Sequence, residues 1–296
     1  MNKRKVLILG AKGMLGQELV RVYSEDEGYE VAGWDFGDID VTDFAVAEEK
    51  IRAFGPDVIV NAVAYNAVDQ CEENEEEYAK AMKLNAEVPG FLARLANDLD
   101  ATLVHYSSDY VFDGESEESY AEDVQPHPIS KYGMSKWEGE KRVIAEGRKY
   151  YVIRLSKLFG KPASSTTGKK SFFEKMLEVA KDKKEDPSTG LRAEIAVVDD
   201  EKSCFTYAPD LALASKVLEM YQKPYGIYHL INEGAVTWYE AAQELFKAAG
   251  IDVIVKPVSP DAFPRPAKRP HFSALKNTKF VAMRPYTEAL EEFLEK

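Results

Sequence analysis

Val6-Leu7-Ile8-Leu9-Gly10-Ala11-Lys12-Gly13-Met14-Leu15-Gly16 lies at the start of the chain. Four apolar residues in a row predict a short buried strand, and three glycines then break it and lead into an amphipathic run over residues 15–23. Glycine lets a strand-to-helix turn take positive φ and lets backbone come close to a pyrophosphate, which helix N-terminal N–H groups can then bind. The glycines are spaced two residues apart, a variant of the G-x-G-x-x-G fingerprint with the same physics. Asp35 ends the next predicted strand, 19 residues after Gly16, where a carboxylate can bind adenosine ribose hydroxyls. Gly10, Gly13, Met14, Leu15, Gly16 and Asp35 are therefore candidate contacts for a dinucleotide. A carboxylate repels a 2′-phosphate, and Phe36-Gly37-Asp38 offers no cation to receive one. The expected cofactor is NADH or NADPH, with NADH preferred.

From this start the chain alternates short β-branched runs with longer amphipathic ones. Residues 6–9, 31–34, 58–60, 103–106 and 151–155 read as strands, and 15–23, 45–54, 76–99 and 130–145 as helices. The alternation predicts an α/β fold, a doubly wound parallel sheet with helices on both faces. Past Gly160 it loosens into a Ser/Thr/Gly/Lys-rich segment followed by a helix near 172–180. Residues 195–198 and a helix-strand pair over 209–220 and 227–231 read as a return to the sheet. The expected division is a dinucleotide-binding domain of residues 1–155 and about 193–232, with a smaller α/β C-terminal substrate-binding region of about 156–192 and 233–296.

The 296 residues, 45% of them apolar, suffice for one large core or two modest ones. No apolar stretch approaches the roughly 18 residues of a membrane span, and Met1-Asn2-Lys3-Arg4 leads directly into the first strand without a cleavage pattern. Cytoplasmic location is the expectation. Cys71 and Cys204 are too few for a disulfide framework or a zinc cluster and read as buried thiols. A net charge of −13 argues against nucleic acid or an anionic membrane as partner. An anionic ligand must meet local cations, offered by residues 161–184 and by 257–270 with Arg265, Lys268 and Arg269. Two acidic loops, 71–77 and 113–123, read as solvated, and neither has metal-ligand spacing.

Tyr132 and Lys136 lie at i and i+4 of a predicted helix and share a face. With 16 tyrosines and 38 Lys plus Arg, such a pair arises about twice by composition alone, so its meaning comes from context. A cation beside Tyr132 lowers its phenol pKa and suits it to general acid work on a carbonyl oxygen. Ser108, at the end of the preceding strand, can hydrogen-bond the same oxygen. Parallel sheets place ligands beyond strand C-termini, where Gly10, Asp35, residues 62–65, Ser108 and Ser156 should converge.

Residues 10–16, Asn61-Ala62-Val63-Ala64-Tyr65-Asn66-Ala67-Val68-Asp69, Tyr106-Ser107-Ser108-Asp109-Tyr110-Val111-Phe112-Asp113-Gly114, Tyr132-Gly133-Met134-Ser135-Lys136 and Arg269-Pro270-His271-Phe272-Ser273-Ala274-Leu275 resemble the dTDP-4-dehydrorhamnose reductase family. That family is a branch of the extended short-chain dehydrogenase/reductases, which have Rossmann folds. The resemblance implies reduction of a dTDP-linked 4-keto-6-deoxysugar to dTDP-L-rhamnose, with Ser108, Tyr132 and Lys136 as the triad. It implies Asp40 and Val41 at adenine, Ala62, Val63, Ala64 and Tyr65 along the cofactor, and Lys136 on the nicotinamide ribose. Asp109 falls near the sugar. Arg269 is the candidate for the substrate diphosphate or sugar, since a guanidinium fork suits phosphate oxygens, and a homodimer is the family expectation. The chain departs from the pattern at Lys157, where the family often has a Trp over the sugar, and in residues 199–206, which lack the usual Gly and Pro. Lys157 is counted with the substrate residues. A nucleotide-sugar epimerase or dehydratase is a second reading, and a non-catalytic NAD(P)-binding regulatory subunit a third.

Overall fold

The computed structural model describes residues 3–165, 168–184 and 193–295. The expected domain junction near residue 192 and residues 166–167 of the basic stretch lie outside them. Five strands follow the predicted alternation: β1 (Arg4–Leu9), β2 (Tyr29–Trp34), β3 (Val58–Asn61), β4 (Thr102–Ser108) and β5 (Tyr150–Leu155). With β6 (Gly226–His229) they form one parallel sheet in the order β6-β5-β4-β3-β1-β2. The chain runs outward from β1 to β2 and crosses back to β3, so a ligand crevice opens at the C-terminal ends of β1 and β3.

The alternating side chains of these strands feed two cores, one on each face. Val6, Ile8, Val60, Tyr106 and Ile153 pack under α1 (Met14–Ser24) and a late helix, Ala208–Met220. Leu7, Leu9, Ile59, Leu103 and Val152 pack under α2 (Phe44–Phe54) and the helical stretch that follows β3. That stretch was expected to be one helix over 76–99. It is continuously helical from Glu75 to Asp98, with a π turn at Lys83–Glu87 set between α4 (Glu75–Met82) and α5 (Val88–Asp98), and a separate short α3 (Val68–Glu73) precedes it. Pro89 has no N–H to continue the α-helical ladder, and the Val88 N–H instead reaches the Lys83 carbonyl, five residues back. The turn brings the Asn85 carbonyl against α6 (Lys131–Glu146) at Gly139, where a Cβ would lie 2.0 Å from that oxygen.

The strand expected over 227–231 supplies the sheet's edge as Gly226–His229, but residues 195–198 do not rejoin the sheet. Glu194–Val198 pairs in parallel with Ile254–Val258 as a separate two-stranded sheet. Its inward residues Ile195 and Val197 pack with Phe159, Phe173, Phe205, Leu245, Phe246 and Leu290 in a core of their own. An apolar run announces burial; which sheet buries it is decided by the helix packed upon it, here Trp238–Ala248, against which α7 (Phe172–Lys184) and Tyr286–Glu295 pack in turn. No helix among the described residues is long and apolar enough to cross a membrane.

Candidate active site

The glycine loop is built from backbone. Gly10 takes φ +78°, its N–H and that of Ala11 donate to the Trp34 carbonyl (2.8 and 3.1 Å), and the Gly13 N–H closes the turn on the Gly10 carbonyl at 3.0 Å. α1 then passes so close that a Cβ on Gly16 would lie 2.0 Å from the Gly10 oxygen. Gly13 caps α1 with no side-chain acceptor, which leaves the first-turn N–H groups to an anionic ligand. Leu15 turns its side chain into the core and Met14 stays partly exposed. Asp35 is fixed from both sides: the Lys12 N–H donates to Oδ2 and the Phe36 N–H to Oδ1, each at 2.9 Å. Val41 is buried, while the Asp40 carboxylate accepts from the Thr42 N–H and hydroxyl. Across the crevice the Ala62 N–H continues β3 onto the Leu9 carbonyl, and the Val63 N–H donates to Asn61 Oδ1. Ala64 follows, and Tyr65 exchanges two backbone hydrogen bonds with the Asn85 amide at 2.9 and 3.0 Å. Ser164 and Ser165 donate their N–H groups to the Lys12 carbonyl, laying the chain after Phe159 across the loop. Glycines that cannot carry a Cβ, an open helix terminus and a fixed acid together fit a dinucleotide.

β4 ends at Ser108, and α6 lies over it. Ser130 caps α6 by accepting from the Gly133 N–H, which starts the helix so that Tyr132 and Lys136 both face inward and are buried. The Lys136 ammonium donates to the Tyr106 carbonyl at 2.7 Å, and burial brings its pKa down to about 8. Tyr132 is held edge-on to Tyr110, with its hydroxyl 3.4 Å from Asn66 Oδ1. The expectation of a lowered phenol pKa is corrected here. Burial, with the Asp109 carboxylate next in weight, raises it well above its ordinary value, opposed by the Ser108 hydroxyl, because the Lys136 charge is directed at Tyr106. Tyr132 is therefore a phenol, able to donate a proton, throughout the neutral range.

Asp109 follows Ser108 into a buried position. Its Oδ1 accepts from the Ser108 hydroxyl at 3.0 Å and its Oδ2 from the Ser273 hydroxyl at 2.6 Å, yet burial still pushes its pKa up to about 6. Lys157, half-buried at φ +40°, donates to the Glu201 carbonyl at 3.0 Å and lies 3.8 Å from the Trp238 ring centroid. Burial takes its pKa down to about 7 against the pull of Asp109 and Glu201. Arg269 is not a free cation. Its two arms grip the Asp69 carboxylate at 2.5 and 2.7 Å, and one also meets the Ala267 carbonyl. Arg265 pairs in the same way with Glu201. In the other basic stretch, Lys169 donates to the Asn66 carbonyl and Lys170 pairs with Glu178.

The family model for the RmlD substrate binding domain matches residues 4–296. The chain belongs to this family. Among its RmlD relatives, a probable dTDP-4,6-dihydroxy-2-methyloxan-3-one 4-ketoreductase of Streptomyces antibioticus is 37% identical, covering 97% of this chain and 93% of the relative. The dTDP-4-dehydrorhamnose reductase of Escherichia coli is 34% identical over 93% of this chain and 90% of its own. The dTDP-4-dehydrorhamnose reductase of Bacillus anthracis, solved in complex with NADP, superposes with a TM-score of 0.88 at 32% identity, covering 99% of both chains.

Several residues of this RmlD-family site gave no sequence signal of their own. Asn85 joins the Tyr65 backbone to the Ser135 hydroxyl (3.0 Å), and Ser135 in turn donates to the Tyr132 carbonyl at 2.7 Å; its place depends on the π turn. Ser273 and Asp69 act through Asp109 and Arg269, which are 164 and 200 residues away in sequence. Trp238 and Glu201, joined by a 2.9 Å hydrogen bond from the indole N–H, brace Lys157 from the smaller core.

Proposed function

We propose that this chain is an NAD(P)H-dependent oxidoreductase that reduces the 4-keto group of a nucleotide-diphosphate deoxysugar, dTDP-4-dehydro-L-rhamnose, to give dTDP-L-rhamnose. The observation that carries the reading is the convergence of Ser108, Tyr132 and Lys136 beside a glycine loop that fits a dinucleotide. When bound, the nicotinamide supplies the hydride that arrives at the carbonyl carbon. Tyr132 gives its proton to the carbonyl oxygen, and Ser108 hydrogen-bonds that oxygen, work for which a positioned acid contributes about 10²- to 10⁴-fold. Lys136, anchored on Tyr106, holds the nicotinamide ribose. Gly10, Gly13, Met14, Leu15 and Gly16 bind the pyrophosphate through backbone, with Asp40, Val41 and residues 62–65 lining the cofactor. Asp109 and Lys157 contact the sugar, and Arg269 turns its remaining N–H groups to the diphosphate.

Asp35 supports a preference for NADH, since its carboxylate, held in place by the Lys12 and Phe36 N–H groups, repels a 2′-phosphate. A kcat/KM about tenfold better with NADPH would overturn that preference. The parallel sheet with its helices serves as the dinucleotide-binding domain, and the core around Phe205 and Phe246 as the substrate region. Function as a cytoplasmic homodimer follows the family expectation, and a monomer in analytical ultracentrifugation would refute the dimer. The deciding experiment follows NADH oxidation against dTDP-, UDP- and GDP-linked 4-keto sugars. Turnover of the dTDP-linked 4-keto-6-deoxysugar is expected; cofactor binding without turnover of any of them would make the chain a regulatory subunit instead.

A further inference from the structure

Lys157 is held more tightly than a surface lysine. Its backbone sits at φ +40°, a left-handed conformation that costs free energy for a residue with a Cβ and persists only where the surroundings impose it. Its ammonium is braced twice, by the Glu201 carbonyl at 3.0 Å and by the face of Trp238 at 3.8 Å, with Phe205 behind at 5.1 Å. The brace is itself built: the Glu201 carboxylate is gripped by Arg265 and by the Trp238 indole N–H. An ammonium has three N–H donors, and the Glu201 carbonyl takes one. The chain position of Lys157 is set by β5, where Leu155 pairs in register with Ser108, and the ammonium feels the charge of Asp109, whose two oxygens are already engaged by Ser108 and Ser273. The chain thus places a desolvated side chain, cationic below about pH 7 and with donor capacity to spare, at the Ser108 end of the crevice, where it cannot swing out to water without losing both braces.

We propose that Lys157 is a specificity-determining residue whose ammonium donates a hydrogen bond to a ring hydroxyl of the sugar, so that the chain selects a hydroxylated keto sugar over its deoxy counterpart. The inference rests on the keto-sugar reductase reading and names the substrate feature that this site recognises. A sugar without that hydroxyl leaves the ammonium desolvated and short of an acceptor, a loss that polar sites convert into strong discrimination. An apolar side chain at position 157 is indifferent to the same change.

The test compares steady-state kinetics on a dTDP-linked 4-keto-6-deoxysugar and on its 2-deoxy and 3-deoxy analogues, for the natural chain and for Lys157→Met. The natural chain is expected to lose about tenfold or more in kcat/KM, mainly through KM, on one of the two analogues. Lys157→Met is expected to level that difference while NADH affinity stays within about twofold. Equal kcat/KM on all three sugars by the natural chain overturns the proposal whether or not the variant folds, as does discrimination that survives in Lys157→Met. Absence of turnover on all three refutes the reductase reading, a result distinct from turnover without discrimination.

Discussion

Tyr132, Lys136 and Ser108 carry the proposed chemistry, and they are legible for two different reasons. The tyrosine and lysine were readable because four residues of helix put them on one face, and the serine because it ends a strand of a parallel sheet. Their electrostatics were not legible. Sequence suggested that Lys136 would acidify Tyr132, whereas the ammonium is spent on the Tyr106 carbonyl and burial keeps the phenol protonated. Tyr132→Phe should therefore lower kcat by about 10²- to 10⁴-fold with NADH affinity unchanged, as fluorescence titration of the cofactor would show. Lys136→Ala should impair both turnover and cofactor binding. Lys136 is charged below about 8 and neutral above it, so kcat/KM should fall as pH rises through that value. A profile flat to pH 10 would assign the ammonium no part in turnover.

Among the elements, the glycine loop and the first five strands followed from pattern, since each is decided within a dozen residues. The π turn between α4 and α5 could not be read that way. Its cause is split between Pro89 and Gly139, and the second belongs to another helix. The loop permits a graded test. A Cβ on Gly16 meets backbone at 2.0 Å, and one on Gly13 meets a single oxygen at 3.2 Å. Gly16→Ala must then displace α1 from the Gly10 turn and should abolish NADH binding, while Gly13→Ala should weaken it only a few-fold. Calorimetric titration of both variants with NADH gives the comparison, and equal affinities would disprove the packing argument.

Over the whole molecule, the parts that escaped a sequence reading are those that join distant segments. Residues 195–198 were recognisable as a buried strand, but their partner at 254–258 could not be inferred from an apolar run. The same holds for the fully buried Arg154–Glu140 pair, whose two hydrogen bonds of 2.7 and 2.9 Å tie β5 to α6. Arg154 also stacks on Phe112 and reaches His229, and Glu122, near that ring, caps Thr278 through its N–H and hydroxyl. Glu140→Ala would leave a buried guanidinium uncompensated and should cost about 3–5 kcal/mol, read as a lower denaturant midpoint. The segment that ends at Thr278 also bears on how the protein is made. Arg269 clasps Asp69, Ser273 supplies the second hydroxyl to Asp109, and Leu275 bridges to Tyr120. A ribosome must therefore have passed codon 273 before Asp109 acquires both its donors, and a product released by a stop between codons 137 and 273 carries Ser108, Tyr132 and Lys136 yet leaves the proposed sugar pocket unfinished.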